Sequence, residues 1–263
     1  MIACSAMEHP RIEVRNLKKS FREKVILDGI NLKVCAGKSL VIIGASGSGK
    51  SVLTRCIVGL LKPDNGDILL DGQLLNPDLM NNRAFIASSI GYLFQNAALF
   101  DSLTVLENVS FGPLFMQKRN IKEANQIAKE IMLKLDINPK FWFLHPKELS
   151  GSSRKIVAVA RALAVKPKVI IFDEPSTGLD VRASQKLDSL IRDCVEKENI
   201  TSITITHDMN SARRIADDIA MLHEGKFIWS GIPNQMNKSN NINVERFIQP
   251  FLDTNFNTIR GSQ

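Results

Sequence analysis

Hydrophobic positions change their period along this chain. Three short runs, "SLVIIG" (Ser39–Gly44), "KVIIFDEP" (Lys168–Pro175) and "ITSITITHD" (Ile200–Asp208), are rich in β-branched residues. They read as strands buried in a parallel sheet. Between them, Ala124, Ile127, Ala128, Ile131 and Leu135 recur at helical spacing. That stripe predicts a helix packed on its own domain. Thr104 and Glu107 make a T-x-x-E capping box where a helix should begin. Ile12–Val34 reads as strands separated by a turn around Lys18–Lys24, and Asp71-Gly72 in "GDILLDGQLL" predicts an antiparallel hairpin. Strands alternating with helical patterns predict an α/β fold with a largely parallel central sheet. From about Asn96 to Leu149 the pattern turns helical. After Gly231 the chain becomes Asn-rich and ends in the apolar-dotted "VERFIQPFLDTNF".

The 263 residues, 44% of them hydrophobic, suit one large domain or two small ones with a buried core. The longest uncharged run, Ala84–Phe100, carries Ser88, Ser89, Gln95 and Asn96 and is too short and polar to cross a bilayer. The start, "MIACSAMEHPRIEV", lacks the basic and apolar regions of a signal peptide. A soluble protein, able to dock on a membrane partner, is therefore expected. Cys4, Cys35, Cys56 and Cys194 form no C-x-x-C pair, which suggests neither a zinc site nor a disulfide framework and fits a reducing compartment. A net charge of +7 fits a nucleotide, nucleic-acid or anionic-membrane partner, or simply a solvated basic surface.

Two motifs carry chemistry on their own. "GASGSGKS", comprising Gly44, Ala45, Ser46, Gly47, Ser48, Gly49, Lys50 and Ser51, follows a buried strand and precedes a helix. Such a loop points backbone N–H groups at phosphate oxygens, with a lysine for the β/γ-phosphates and a hydroxyl for Mg²⁺. In "VIIFDEP", Asp173 and Glu174 sit at the tip of a buried strand, a costly place unless a cation is near. Asp173 would hold Mg²⁺ through its water shell, and Glu174 would polarise a water for attack on the γ-phosphate. The pair points to a nucleoside triphosphatase that works with Mg²⁺. No N-K-x-D guanine-reading motif is present, which argues against a GTPase.

"ELSGSSRK", "STGLD" and a lone His207 after "ITSITIT" follow in order. With them, residues 10–231 resemble the ATP-binding subunits of ABC transporters. The resemblance implies a P-loop (RecA-like) core with an antiparallel β subdomain and an α-helical subdomain at about 96–165, followed by a C-terminal extension over 232–263. It places Phe21 where the family stacks an aromatic on adenine; a core phenylalanine is the other reading of that residue. Gln95 matches the glutamine that touches Mg²⁺ and the attacking water, Asp180 the aspartate that signals across a dimer, and His207 the histidine that contacts the γ-phosphate. Ser150, Gly151, Ser152 and Ser153 match the loop that caps ATP held on a second copy, which implies a homodimer with ATP between the protomers. Ser152 stands where the family has a second glycine. Its backbone needs only a helical φ, so the N–H is kept and a working, slower site is expected. His9, His145 and His223 are assigned no role.

Within the family, "GYLFQNAALFDSLTVLENVSFGP" (Gly91–Pro113) and "ELSGSSRKIVAVARALAVKPKVIIFDEPSTGLD" look like the ATPase of the Mla phospholipid transporter and its Mkl-type relatives. Gly151-Ser152-Ser153 departs from that pattern's Gly-Gly-Met. The resemblance implies a separate integral-membrane permease, an MCE-type substrate-binding protein, phospholipid as cargo, and a place on the cytoplasmic face of the inner membrane. It also likens Val244–Phe251 to an extension that braces the neighbouring subunit, a disordered tail being the alternative. A small-solute transporter ATPase, a soluble ABC ATPase acting on nucleic acid and a non-hydrolysing regulator are the other readings. No nucleic acid is expected, since there is neither a long coiled-coil insertion nor a tandem cassette.

Overall fold

The computed structural model describes residues 9–75 and 80–257; Cys4 and the first residues lie outside them. Two sheets organise the chain. In the first, β1 (Pro10–Phe21) pairs antiparallel with β2 (Lys24–Cys35) and with β4 (Asn65–Leu70), which turns through Asp71-Gly72 into β5 (Gln73–Leu74). The turn expected at Lys18–Lys24 shrinks to Arg22-Glu23. β1 stays paired as far as Phe21 by absorbing register irregularities between Val14 and Ser20, and Arg22 takes a left-handed φ of 54°.

In the second sheet β9 (Asp218–His223), β3 (Ser39–Ile43), β8 (Thr201–Ile205), β7 (Val169–Asp173) and β6 (Ile90–Leu93) lie side by side and parallel, and β10 (Lys226–Gly231) runs antiparallel at one edge. Successive side chains of a strand point to opposite faces. Val41, Ile43, Ile170 and Phe172 accordingly join one core, with α3 (Val105–Phe111), α4 (Ile121–Lys134), α5 (Gly151–Leu163), α6 (Val181–Glu196) and α7 (Met209–Ile215). Leu40, Ile42, Val169 and Ile171 join another, with α1 (Lys50–Ile57) and the antiparallel sheet. Burial on both faces explains why these strands read as unbroken apolar runs.

The uncharged run Ala84–Phe100 is divided among α2 (Met80–Ser89), β6 and the loop that follows, and no described helix is long and apolar enough to cross a membrane. Both bonds of the capping box at α3 are made: the Thr104 N–H donates to Glu107 Oε2 at 2.8 Å, and the Glu107 N–H donates to Thr104 Oγ1 at 3.3 Å. A π-helical turn, Gly112–Met116, continues α3. Val244–Phe251 is helical rather than irregular. It lies in α8 (Ile242–Asn257), whose Val244 and Ile248 are buried in the helical-side core, because their i, i+4 spacing makes one apolar stripe. Cys35, at the end of β2, is disulfide-bonded, against the expectation from cysteine spacing. Its partner lies outside the described residues, and Cys56 and Cys194 are free and buried. Spacing along the chain says nothing about what a strand end meets in the fold.

Candidate nucleotide site

β3 leads into a glycine-rich loop and then α1. Gly44 has φ 147° and a Cβ there would lie 2.2 Å from the Leu222 carbonyl oxygen; at Gly49, with φ 107°, it would lie 2.9 Å from that of Ile26. Only glycine fits either position. The loop opens on a cavity of about 680 Å³ lined by Phe21, Lys24, Ile26, Gly44, Ser46, Gly47, Gly49, Lys50, Ser51, Val52, Gln95, Glu174 and His207. Residues from five separate stretches of sequence thus meet around one space.

The α1 helix starts without a side-chain cap, so its first N–H groups face the loop. Lys50 is buried, and its Nζ donates to the Gly44 and Ala45 carbonyls at 2.7 and 2.9 Å. Burial pushes its pKa down, against the pull of the Glu174 and Asp173 carboxylates. An ammonium resting on neutral carbonyls can exchange them for phosphate oxygens, which form stronger charge-assisted bonds. The Ser48 hydroxyl is buried and has no hydrogen-bond partner among the described residues, which is a second sign that the loop fits an anion.

Asp173 ends β7 and is buried. Its Oδ1 accepts from the Ser51 hydroxyl at 3.2 Å and its Oδ2 from the Tyr92 hydroxyl at 2.9 Å. A buried carboxylate partnered by hydroxyls calls for a cation, and this all-oxygen donor set suits a hard divalent ion such as Mg²⁺. Glu174, next in the chain, takes a left-handed φ of 50°. Its Oε2 accepts from Thr177 Oγ1 at 3.2 Å and lies 2.7 Å from Nδ1 of the exposed His207. A carboxylate pinned in this way at the cavity wall is placed to orient a water and take its proton.

Phe21 is 47% exposed at the end of β1, so it is not a core residue. The Lys19 ammonium lies 5.4 Å from the centre of its ring, which borders the cavity. Gln95 lies in the loop after β6, and Ala97 and Ala98, two and three residues further on, have left-handed φ of 61° and 45°. Arg161 of α5 holds that bend, donating to the Ala98 and Ala97 carbonyls at 2.7 and 3.1 Å. Its guanidinium also lies 5.7 Å from the centre of the Phe100 ring.

The remaining expected residues stand apart from this cavity. Ser150 caps α5, its Oγ accepting from the Ser153 N–H at 3.2 Å and lying 3.1 Å from Ser152 Oγ. Gly151 and Ser152 form the first turn of α5, and Ser152 lines a smaller cavity with Ile156, Leu179, Ala183 and Leu187. Ser152 has no positive φ, as its position in a helix requires. Asp180 caps α6 by accepting from the Ala183 N–H at 2.8 Å.

Four further residues bear on the site with no motif to mark them. Tyr92 touches Asp173, and Thr177 touches Glu174. Lys155, buried on α5, donates to the Pro175 and Thr177 carbonyls at 2.5 and 2.6 Å and so fixes the backbone beyond Glu174. Arg161 holds the Gln95 loop. Lys155 and Arg161, set among the apolar residues of the stretch Lys155–Leu163, were the available signal.

A parallel sheet whose strand tips set a glycine loop and a buried lysine against paired carboxylates defines a P-loop nucleoside triphosphatase. Residues 27–177 match the family described as ABC transporter, and the chain belongs to that family as the ATP-binding, ATP-hydrolysing subunit. It is 38% identical over 228 residues to the glutamine transport ATP-binding protein GlnQ of Escherichia coli (87% of this chain, 94% of the relative). It is 34% identical over 258 residues to the chloroplastic protein TRIGALACTOSYLDIACYLGLYCEROL 3 of Arabidopsis thaliana (92% of this chain, 74% of the relative). Among solved structures it resembles the ATP-binding cassette MJ0796, a dimer in a post-hydrolysis state with ADP and Pi (TM-score 0.77, 30% identity, 84% of this chain and 98% of that one).

Proposed function

We propose that this chain powers the uptake of a small hydrophilic solute through separate membrane subunits. The convergence of Lys50, the Ser51–Asp173 pair and the Glu174–His207 pair on one cavity supports the chemistry. The match to GlnQ supports the cargo class. The adenine stacks on Phe21, and the triphosphate lies along the Gly44–Ser51 amides. Lys50 leaves the Gly44 and Ala45 carbonyls for phosphate oxygens. Ser51, Gln95 and Asp173 would hold Mg²⁺, which supplies charge neutralisation at the phosphates. Glu174 orients a water in line with the γ-phosphorus and takes its proton as the bond to ADP breaks, while His207 and Thr177 keep the carboxylate in place.

Ser150, Gly151, Ser152 and Asp180 stand apart from the chain's own nucleotide cavity, and on this reading they cap nucleotide held by a second copy of the chain. The dimeric state of the MJ0796 neighbour supports this pairing. The chain then works at the cytoplasmic face of a membrane. A second reading, phospholipid transport with an MCE-type binding protein, draws on the 258-residue match to a plant protein named for a galactolipid.

The test is ATP hydrolysis by the chain in complex with its membrane partner. Stimulation by an amino acid or oxyanion presented on a solute-binding protein supports the first reading. Stimulation by lipid transfer between vesicles, with no solute effect, turns the assignment to the second. Loss of the membrane partner in favour of salt-sensitive nucleic-acid binding overturns both.

A further inference from the structure

Two lysines are buried among the described residues, Lys50 at 8% and Lys155 at 6% exposure, and the charge of Glu174 acts on both. Lys50 belongs to the phosphate loop. Lys155 lies one turn into α5, past the Ser150–Ser153 loop, and lines no part of the nucleotide cavity. Its Nζ donates to the Pro175 carbonyl at 2.5 Å and to the Thr177 carbonyl at 2.6 Å, and to no carboxylate among the described residues. Burial pushes its pKa down, and the Glu174 carboxylate pulls the other way. An ammonium without a direct counter-ion is costly to bury, and a methionine of similar length would fill the space without that cost. What the charge holds is the turn that follows Glu174.

We propose that Lys155 is a positioning residue for Glu174, acting through Thr177; the role rests on Glu174 serving as the base. Glu174 stands in a left-handed conformation, φ 50°, which a side chain keeps only under constraint from its surroundings. The turn beyond it is closed by the Thr177 N–H, which donates to the Glu174 carbonyl at 3.3 Å, and by the Leu179 N–H, which donates to that of Ser176 at 3.1 Å. The Lys155 ammonium draws the Pro175 and Thr177 carbonyls inward, and so sets the Thr177 hydroxyl 3.2 Å from Glu174 Oε2. His207 meets that same oxygen, which leaves Oε1 to take the proton of the attacking water. Without the ammonium both carbonyls lose their partner, the turn relaxes, and the carboxylate leaves its line with the water. The phosphate grip at Lys50 is untouched by that change. A shift of about 1 Å at a reacting group costs up to about 10²-fold in rate.

Steady-state ATP hydrolysis by the full chain with its membrane partner, set beside nucleotide titration of the full chain, tests this. Lys155→Met should lower kcat about 10- to 100-fold and leave KM and ATP affinity unchanged. Lys155→Arg keeps the charge and should recover most of the lost turnover. Thr177→Val should lower kcat about fivefold. Added to Lys155→Met it should cost nothing further, because both changes cut one link. In a Glu174→Gln background, Lys155→Met should leave the residual rate as it was. A wild-type kcat in Lys155→Met, an ATP affinity that falls in step with kcat, or losses that multiply in the double variant would each reduce Lys155 to a packing residue. Should Lys155→Met not fold, Thr177→Val decides, since normal turnover there breaks the link. Glu174→Gln at the wild-type rate would remove the base itself, and the proposed chemistry would fall before the role of Lys155 is reached.

Discussion

Two serine- and glycine-bearing loops each lead into a helix, and they treat the helix start in opposite ways. Before α1 the cap residue is Gly49, which offers no side chain, so the first N–H groups stay open to the cavity. Before α5 the cap residue is Ser150, whose hydroxyl is already bonded to the Ser153 N–H and in contact with the Ser152 and Ser153 hydroxyls. The open start is ready for an anion within a single chain. The closed start is locally satisfied and adds hydroxyls and N–H groups at a surface. One chain therefore carries an open phosphate grip and, separately, a finished cap that the proposed reading sets against the nucleotide of a second copy.

The largest break in this comparison is chemical. Glu174→Gln keeps the shape of the open site and removes its base, so turnover should fall about 10²- to 10⁴-fold while ATP binding holds. Steady-state ATPase rates and nucleotide titration separate the two effects. Next, Gly49→Ser puts a side chain where a Cβ already meets Ile26 and the backbone is left-handed. Nucleotide affinity should drop by at least about tenfold and stability by about 1–3 kcal/mol, read by titration and by denaturant melts. At the closed start, Ser150→Ala should cost about 1 kcal/mol through loss of the cap, with ATP affinity of the isolated chain intact. Ser152→Gly should leave turnover equal or a few-fold faster. An inactive wild type rescued by that change would turn this loop into a regulatory one.

The α3 start calibrates the cap energies. The Glu107 carboxyl is held below its ordinary range, first by the Thr104 N–H and then by the Thr104 hydroxyl. A depressed carboxylate contributes stability that is present above its unfolded pKa of about 4.3 and is lost as pH falls through the lower folded value. Thr104→Ala should therefore cost about 1 kcal/mol at neutral pH, with the gap from wild type narrowing below about pH 4. Urea melts across that window check it. A gap that widens in acid would mean the carboxylate is not engaged.

The phosphate loop, Asp173, Glu174 and the Thr104 cap could be read from the sequence because their chemistry requires particular residue types at fixed short spacing. Tyr92 could not: the atom it bonds belongs to a residue 81 positions away, and a tyrosine in a strand reads as packing. Val244 and Ile248 showed an apolar stripe, but a stripe does not say whether it covers its own domain or a neighbour, and only their burial in this chain's core decides it. Phe21 was undecided for the same reason until its exposure was known. The β1 turn shrinks because polar residues at Lys18–Lys24 look like loop, whereas the hairpin stays paired through Lys19, Ser20 and Phe21 as far as Lys24.

The bend after Gln95 has a mechanical consequence. Two adjacent alanines are kept left-handed there, at about 1–2 kcal/mol each, and one guanidinium grips both of their carbonyls. The bend is also held by its own backbone, the Ala97 N–H donating to the Phe94 carbonyl at 2.9 Å and the Ala98 N–H to the Asn96 carbonyl at 2.7 Å. Arg161 sits on the same helix that carries Ser150 at its far end. Ser150 at the start of α5 and Arg161 near its end are therefore two points on one helix, one facing outward and one gripping the Gln95 bend.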